Sequence, residues 1–171
     1  MKFNFLSKIA CLGLITVVFS CKKEEPVQEQ ENLNVLKIKI GATTFTWSDT
    51  DGAGGVAPKI DTIKLAPNTT FDVELTVQDG SKSPIVDATP EIITEKNDHL
   101  FVYKPTGNFT VSTLSKDGNS KDFGQTAKLQ TVATSNGSLQ IILKHLPDKS
   151  ASDPSKTGET DLDVLFPVVI K

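Results

Sequence analysis

Apolar residues recur at every second position along much of this chain, and that period is the mark of a half-buried β-strand. Phe71, Val73, Leu75 and Val77 alternate with Asp72, Glu74 and Thr76. Successive strand side chains point to opposite faces, so such a stretch has one dry face and one wet face. Leu162, Val164, Phe166, Val168 and Ile170 follow the same rule, with Asp161 and Asp163 between them. Leu36, Ile38 and Ile40 alternate with Lys37 and Lys39. Further candidate strands are Thr43–Ser48, Ile60–Leu65, Leu100–Tyr103, Asn108–Leu114, Ala127–Val132 and Ser138–His145. Turn-forming clusters separate them, among them Asp51-Gly52, Pro67-Asn68, Asp79-Gly80, Lys116-Asp117-Gly118-Asn119 and Ser135-Asn136-Gly137. One weak helical stretch, Pro90–Asp98, follows Ala88-Thr89. Eight or nine short strands joined by such turns predict an all-β fold, a single antiparallel β-sandwich.

Nothing covalent can brace that sandwich. Cysteine occurs only at positions 11 and 21, so the chain beyond residue 21 has no disulfide, no thiolate nucleophile and no Cys-based zinc site. The fold must rest on its core.

The first twenty residues have another purpose. Lys2 and Lys8 give a positive start, Ile9–Phe19 is an apolar run, and small Ser20 precedes Cys21. A membrane-spanning helix needs about 20 apolar residues, so this run is too short, and its flanks suit a cleaved export signal. Val17-Val18-Phe19-Ser20-Cys21 resembles the lipobox of bacterial lipoproteins, although Phe19 is larger than that pattern usually has. The resemblance implies cleavage before Cys21 and a membrane-lipid anchor on Cys21. Lys22-Lys23-Glu24-Glu25-Pro26 resembles the surface-export signal of Bacteroidota lipoproteins, which implies an outer-membrane protein facing outward; a plain solvated tether reads the same way. The expected organisation is a signal at 1–20, lipidated Cys21 with a polar tether at 21–34, and a sandwich at 35–171. Leu65–Val73, with its Pro-Asn-Thr-Thr-Phe centre, looks like the start of a strand in immunoglobulin-like and fibronectin-like domains, and that is the expected sandwich type.

Beyond the signal, sixteen lysines face twenty-one acids, and the chain has no arginine. Arginine is the favoured residue for bidentate phosphate recognition, so nucleic acid is excluded as an expected partner. One Trp and one Tyr leave little aromatic surface for stacking on sugars. No G-x-S-x-G elbow and no phosphate loop is present, and no enzyme is expected.

Two groups of residues could bind cations. Asp49-Thr50-Asp51-Gly52 places acids two apart at a sharp turn, as calcium loops do, but Ala53 to Ala57 supply no side-chain oxygen. An ordinary turn after Trp47 is the favoured reading, with the cation loop at Asp49 and Asp51 as the alternative. His99 opens a strand, His145 closes one, and Glu159, Asp161 and Asp163 would share one face of an extended strand, about 6.7 Å between neighbours. Two imidazoles and a carboxylate suit a divalent zinc, copper or iron ion. His99, His145, Glu159 and Asp161 are therefore the expected ligands; two unrelated histidines at strand ends are the alternative. Long loops, where binding residues tend to sit, are expected at Asp49–Lys59 and Leu146–Thr160, with an irregular Lys82–Asp98 stretch.

The order Trp47-Ser48-Asp49-Thr50-Asp51-Gly52, Asn68-Thr69-Thr70-Phe71, Asp98-His99-Leu100-Phe101, Lys144–Lys149 and Gly158–Val164 resembles small, largely uncharacterised Bacteroidota lipoproteins that accompany TonB-dependent outer-membrane receptors. That resemblance implies surface binding linked to nutrient or metal uptake, with such a receptor as partner. It transfers no catalytic residue. The competing expectation is a structural or adhesive module that contacts a protein or glycan without metal.

Overall fold

A computed structural model describes residues 32–52 and 54–171. Cys21, the export signal and nearly all of the tether lie outside the described residues. The strands are β1 (Val35–Ile40), β2 (Thr43–Ser48), β3 (Lys59–Ile60), β4 (Ile63–Leu65), β5 (Thr70–Asp79), β6 (Val86–Asp87), β7 (His99–Thr106), β8 (Phe109–Ser112), β9 (Thr126–Thr131), β10 (Ser135–His145) and β11 (Glu159–Ile170). A short helix α1 spans Thr89–Thr94, and a 3-10 turn spans Pro154–Lys156.

The strands form two sheets. One runs β3-β2-β1-β5-β9-β8, with β6 also paired to β5; the other runs β4-β11-β10-β7. The alternations read from sequence come into register. Leu36, Ile38 and Ile40 lie opposite Val77, Leu75 and Val73, while Leu139, Ile141 and Leu143 lie opposite Phe166, Val164 and Leu162. Each sheet thus gains one continuous dry face, and both faces contribute to a single core. The fold is an all-β sandwich. At least twelve large side chains in it are less than 2% exposed. At about 1.5–3 kcal/mol for each fully buried large side chain, they outweigh what a disulfide contributes, about 2–4 kcal/mol.

Four features differ from the sequence reading. Ile60–Leu65 is two strands, because the chain changes sheets at Asp61-Thr62: β3 pairs with β2 and β4 with β11. Asp61 pins the crossing point, accepting from the Thr46 N–H at 2.8 Å while its own N–H donates to the Thr46 carbonyl. The β4–β11 pairing is parallel, and every other pairing between named strands is antiparallel. Among the described residues, eleven strands stand where eight or nine were expected, two of them only two residues long. Helix α1 begins at Thr89, with Pro90 in its first turn, and buries Ile92. It ends well before Asp98, and Glu95 to Asp98 form a turn closed by the Asp98 N–H on the Glu95 carbonyl.

Candidate functional site

Pro105 fixes the geometry at the far end of β7. Proline has no N–H for the ladder, so on β7, which lies at the edge of its sheet, it occupies an outward-facing position. Phe101 has the same parity, and its N–H leaves the sheet to reach the Phe123 carbonyl at 2.7 Å. His99 follows in that series. Its partner across β10 is His145, so the two form a non-hydrogen-bonded pair, the kind whose side chains approach most closely. The imidazole centroids lie 4.9 Å apart with the rings at 7° to one another, a near-parallel stack. His99 is buried and His145 partly so.

The third component comes from an irregularity in β11. Leu143 pairs with Leu162, but Lys144 pairs with Thr160, which leaves Asp161 as an extra, bulged residue. A bulge re-aims side chains. Asp161 lies with Oδ2 at 3.9 Å from His99 Nε2, whereas Asp163 accepts from Gln140 Nε2 at 2.8 Å. The expected shared face of Glu159, Asp161 and Asp163 is therefore broken, because the bulge inserts one residue into a period of two. Glu159 ends beside the cluster as the cross-strand partner of His145.

Electrostatics there are mixed. Burial pushes the Asp161 carboxyl above its ordinary value, and the Glu159 charge adds to that; His145, His99 and Lys144 pull the other way. Lys144 is itself buried, its Nζ donating to the Gly158 carbonyl and to Thr160 Oγ1. His99 Nδ1 lies 3.1 Å from the Glu95 carbonyl. A carbonyl can only accept, so Nδ1 carries a proton, and Nε2 is the ring nitrogen nearest Asp161. Among the described residues, no three His, Cys, Asp or Glu side chains stand close enough to hold a metal ion as they are placed.

The adjoining loop, Leu146 to Gly158, has its ends in contact. Gly158 has φ +66°, and an added Cβ would lie 2.2 Å from the His145 carbonyl oxygen, so only glycine fits. The Leu146 N–H donates to the Asp98 carbonyl at 2.7 Å. The middle of the loop is held by Lys149, whose Nζ meets Asp117 Oδ2 at 2.9 Å and the Lys96 carbonyl at 2.7 Å. Both partners of that ion pair are buried. Burial alone would raise the Asp117 carboxyl, but Lys149 and the N–H groups of Lys121 and Asn119 outweigh it and hold it below the ordinary range. Sequence reading missed Lys144, Lys149 and Asp117. Lys149 and Asp117 are 32 residues apart and sit in polar loops, where no periodicity marks a buried charge.

The other candidate lies elsewhere. Asp51 accepts from the Val56 N–H at 2.7 Å and so braces its own turn. Asp49 Oδ1 is buried without a hydrogen-bond partner among the described residues. No helix among the described residues is long and apolar enough to cross a membrane. Comparison of the chain with protein-family models, with curated proteins and with solved structures found no match.

Proposed function

We propose that this chain is a lipid-anchored, surface-exposed binding protein that assists outer-membrane nutrient uptake, and that its ligand is a divalent transition-metal ion or a complex of one. The observation that carries the reading is the meeting of His99, His145 and Asp161 at one end of the sandwich, drawn from three strands. Zinc, copper and iron accept imidazole nitrogen together with carboxylate oxygen. The Glu95 carbonyl on His99 Nδ1 is the outer contact that metal-ligating histidines use to present Nε2. Closing on an ion asks these side chains to move. Tetrahedral coordination needs N and O about 3.4 Å apart, from metal–ligand distances of about 2.1 Å, and the separation is now 3.9 Å. His145 would turn out of the stack, and Glu159 stands as a fourth candidate. The Asp49–Asp51 turn has less in its favour as a calcium site, because Asp51 is engaged by its own loop.

The anchor at Cys21, the outward orientation and a TonB-dependent receptor as partner belong to this proposal and rest on the residues around Cys21 and on the sequence resemblance. An immunoglobulin-like or fibronectin-like type of sandwich is supported by the two-sheet layout and the Leu65–Val73 stretch.

The decisive experiment titrates the full chain with zinc, copper and iron. About one equivalent should bind, and replacing His99 and His145 together by Ala should abolish it. Stoichiometry unchanged in the double variant would sink the site. Mass spectrometry of Cys21 tests the anchor independently.

A second reading is a structural or adhesive module that binds a protein or glycan. The stacking of the two rings favours it, since stacked rings are also a stable packing arrangement without metal. Capture of a receptor or polysaccharide from outer membranes, equally strong in chelator, would decide for it.

A further inference from the structure

A cleft of about 350 Å³ runs beside the outward edge of β7, between the β8–β9 connection and the Leu146–Gly158 loop. Its size falls within the range of small-ligand sites. Val102, Val111 and Leu114, each only partly buried, form an apolar floor. Lys116, Lys121 and Lys149 line its rim.

The three lysines are not equivalent. Lys116 holds Asp122, and Lys149 holds Asp117. Lys121 forms no ion pair among the described residues. The backbone that carries it is nevertheless held, because its N–H donates to Asp117 Oδ1 at 2.9 Å. The preceding residue, Ser120, has φ +62°, so the turn that presents Lys121 is tight and specific. The same Asp117 carboxylate staples this turn to the opposite wall through Lys149. The walls are thus tied to each other, and the cleft is preformed.

We infer that this cleft binds a small amphiphilic monoanion, a carboxylate with an apolar body. The body lies on Val102, Val111 and Leu114, and the carboxylate pairs with Lys121. Multiply charged anions are disfavoured, because Asp122 and Asp153 also line the cleft. The inference does not depend on the histidine cluster.

The test is equilibrium dialysis of the full chain in lipid nanodiscs, with empty nanodiscs as reference. The probes are 4-phenylbutyrate, its uncharged amide and citrate. Phenylbutyrate should bind saturably at one site, with a Kd of about 0.1–1 mM, as befits so small a ligand. The amide and citrate should each bind about tenfold more weakly or worse. Lys121→Gln should weaken phenylbutyrate about tenfold, while Lys64→Gln, an exposed lysine on another strand, should leave it unchanged. Equal binding of amide and carboxylate, indifference to Lys121→Gln, or no saturable binding at all would each overturn the inference. Persistence of phenylbutyrate binding in the double histidine variant is expected, and its loss there would also count against a separate site.

Discussion

The Asp49–Lys59 loop and the His99–His145 end of the sandwich both carry acids, but they are held by different means. Asp51 bonds a backbone N–H five residues away, and the turn is local and exposed. The histidine end is assembled from β7, β10 and the bulge in β11, and the loop beside it is stapled by a buried ion pair. A local turn can form from its own residues. An assembled site exists only when the strands are in register, so its side chains report on the whole fold. Within the histidine end itself two aspartates differ in charge: Asp117 is held as an anion by its partners, while burial disfavours the anion of Asp161.

The largest expected break is in binding. Replacing His99 and His145 together by Ala should cut zinc or copper affinity by at least about a hundredfold, whereas Asp51→Ala should leave it intact; calorimetric titration of both variants compares the two regions directly.

Next comes the loop beside the histidines. Gly158→Ala combines a strained positive φ with a collision against the His145 carbonyl, and should cost about 2–4 kcal/mol in denaturant unfolding. A cost below about 1 kcal/mol would mean that the loop can rearrange.

Lys149→Met should cost about 2 kcal/mol at pH 7. That is below the 3–5 kcal/mol of a deep ion pair, because this pair lies between surface loops. The cost has a pH signature. Asp117 has a depressed value in the folded protein, so the pair stabilises fully above the unfolded value of about 3.9 and is lost as pH falls through the folded value. The gap between wild type and Lys149→Met should therefore close in acid, as followed by urea midpoints from neutral to acidic pH.

Asp51→Ala should cost about 0.5–1 kcal/mol, the worth of one exposed hydrogen bond to a charged acceptor. Asp161→Asn should act in the opposite direction. A raised carboxyl is favourable below the unfolded value of about 3.9 and becomes a cost as pH rises through the folded value. Removing the charge should then stabilise the metal-free protein at pH 7 by roughly half a kcal/mol, a small amount because water reaches the site. Destabilisation measured in chelator would show instead that attraction to His99 and His145 outweighs burial.

Particular residues show where sequence sufficed. Leu36, Ile38 and Ile40, and Leu162 through Ile170, announced their strands and buried faces by alternation alone, because burial on one side of a pleated strand imposes a period of two on the residues themselves. The absence of cysteine beyond Cys21 likewise required a core that could stand without cross-links. Tertiary structure decided what depends on pairing between distant segments. It set His99 against His145 across 46 residues, and it split Ile60–Leu65 between two sheets. It moved Asp161 out of line with Asp163 by a single inserted residue, and it buried Lys149 against Asp117. None of these leaves a local pattern, since register and loop docking are settled by the packing of the sheets and not by any one segment's own preferences.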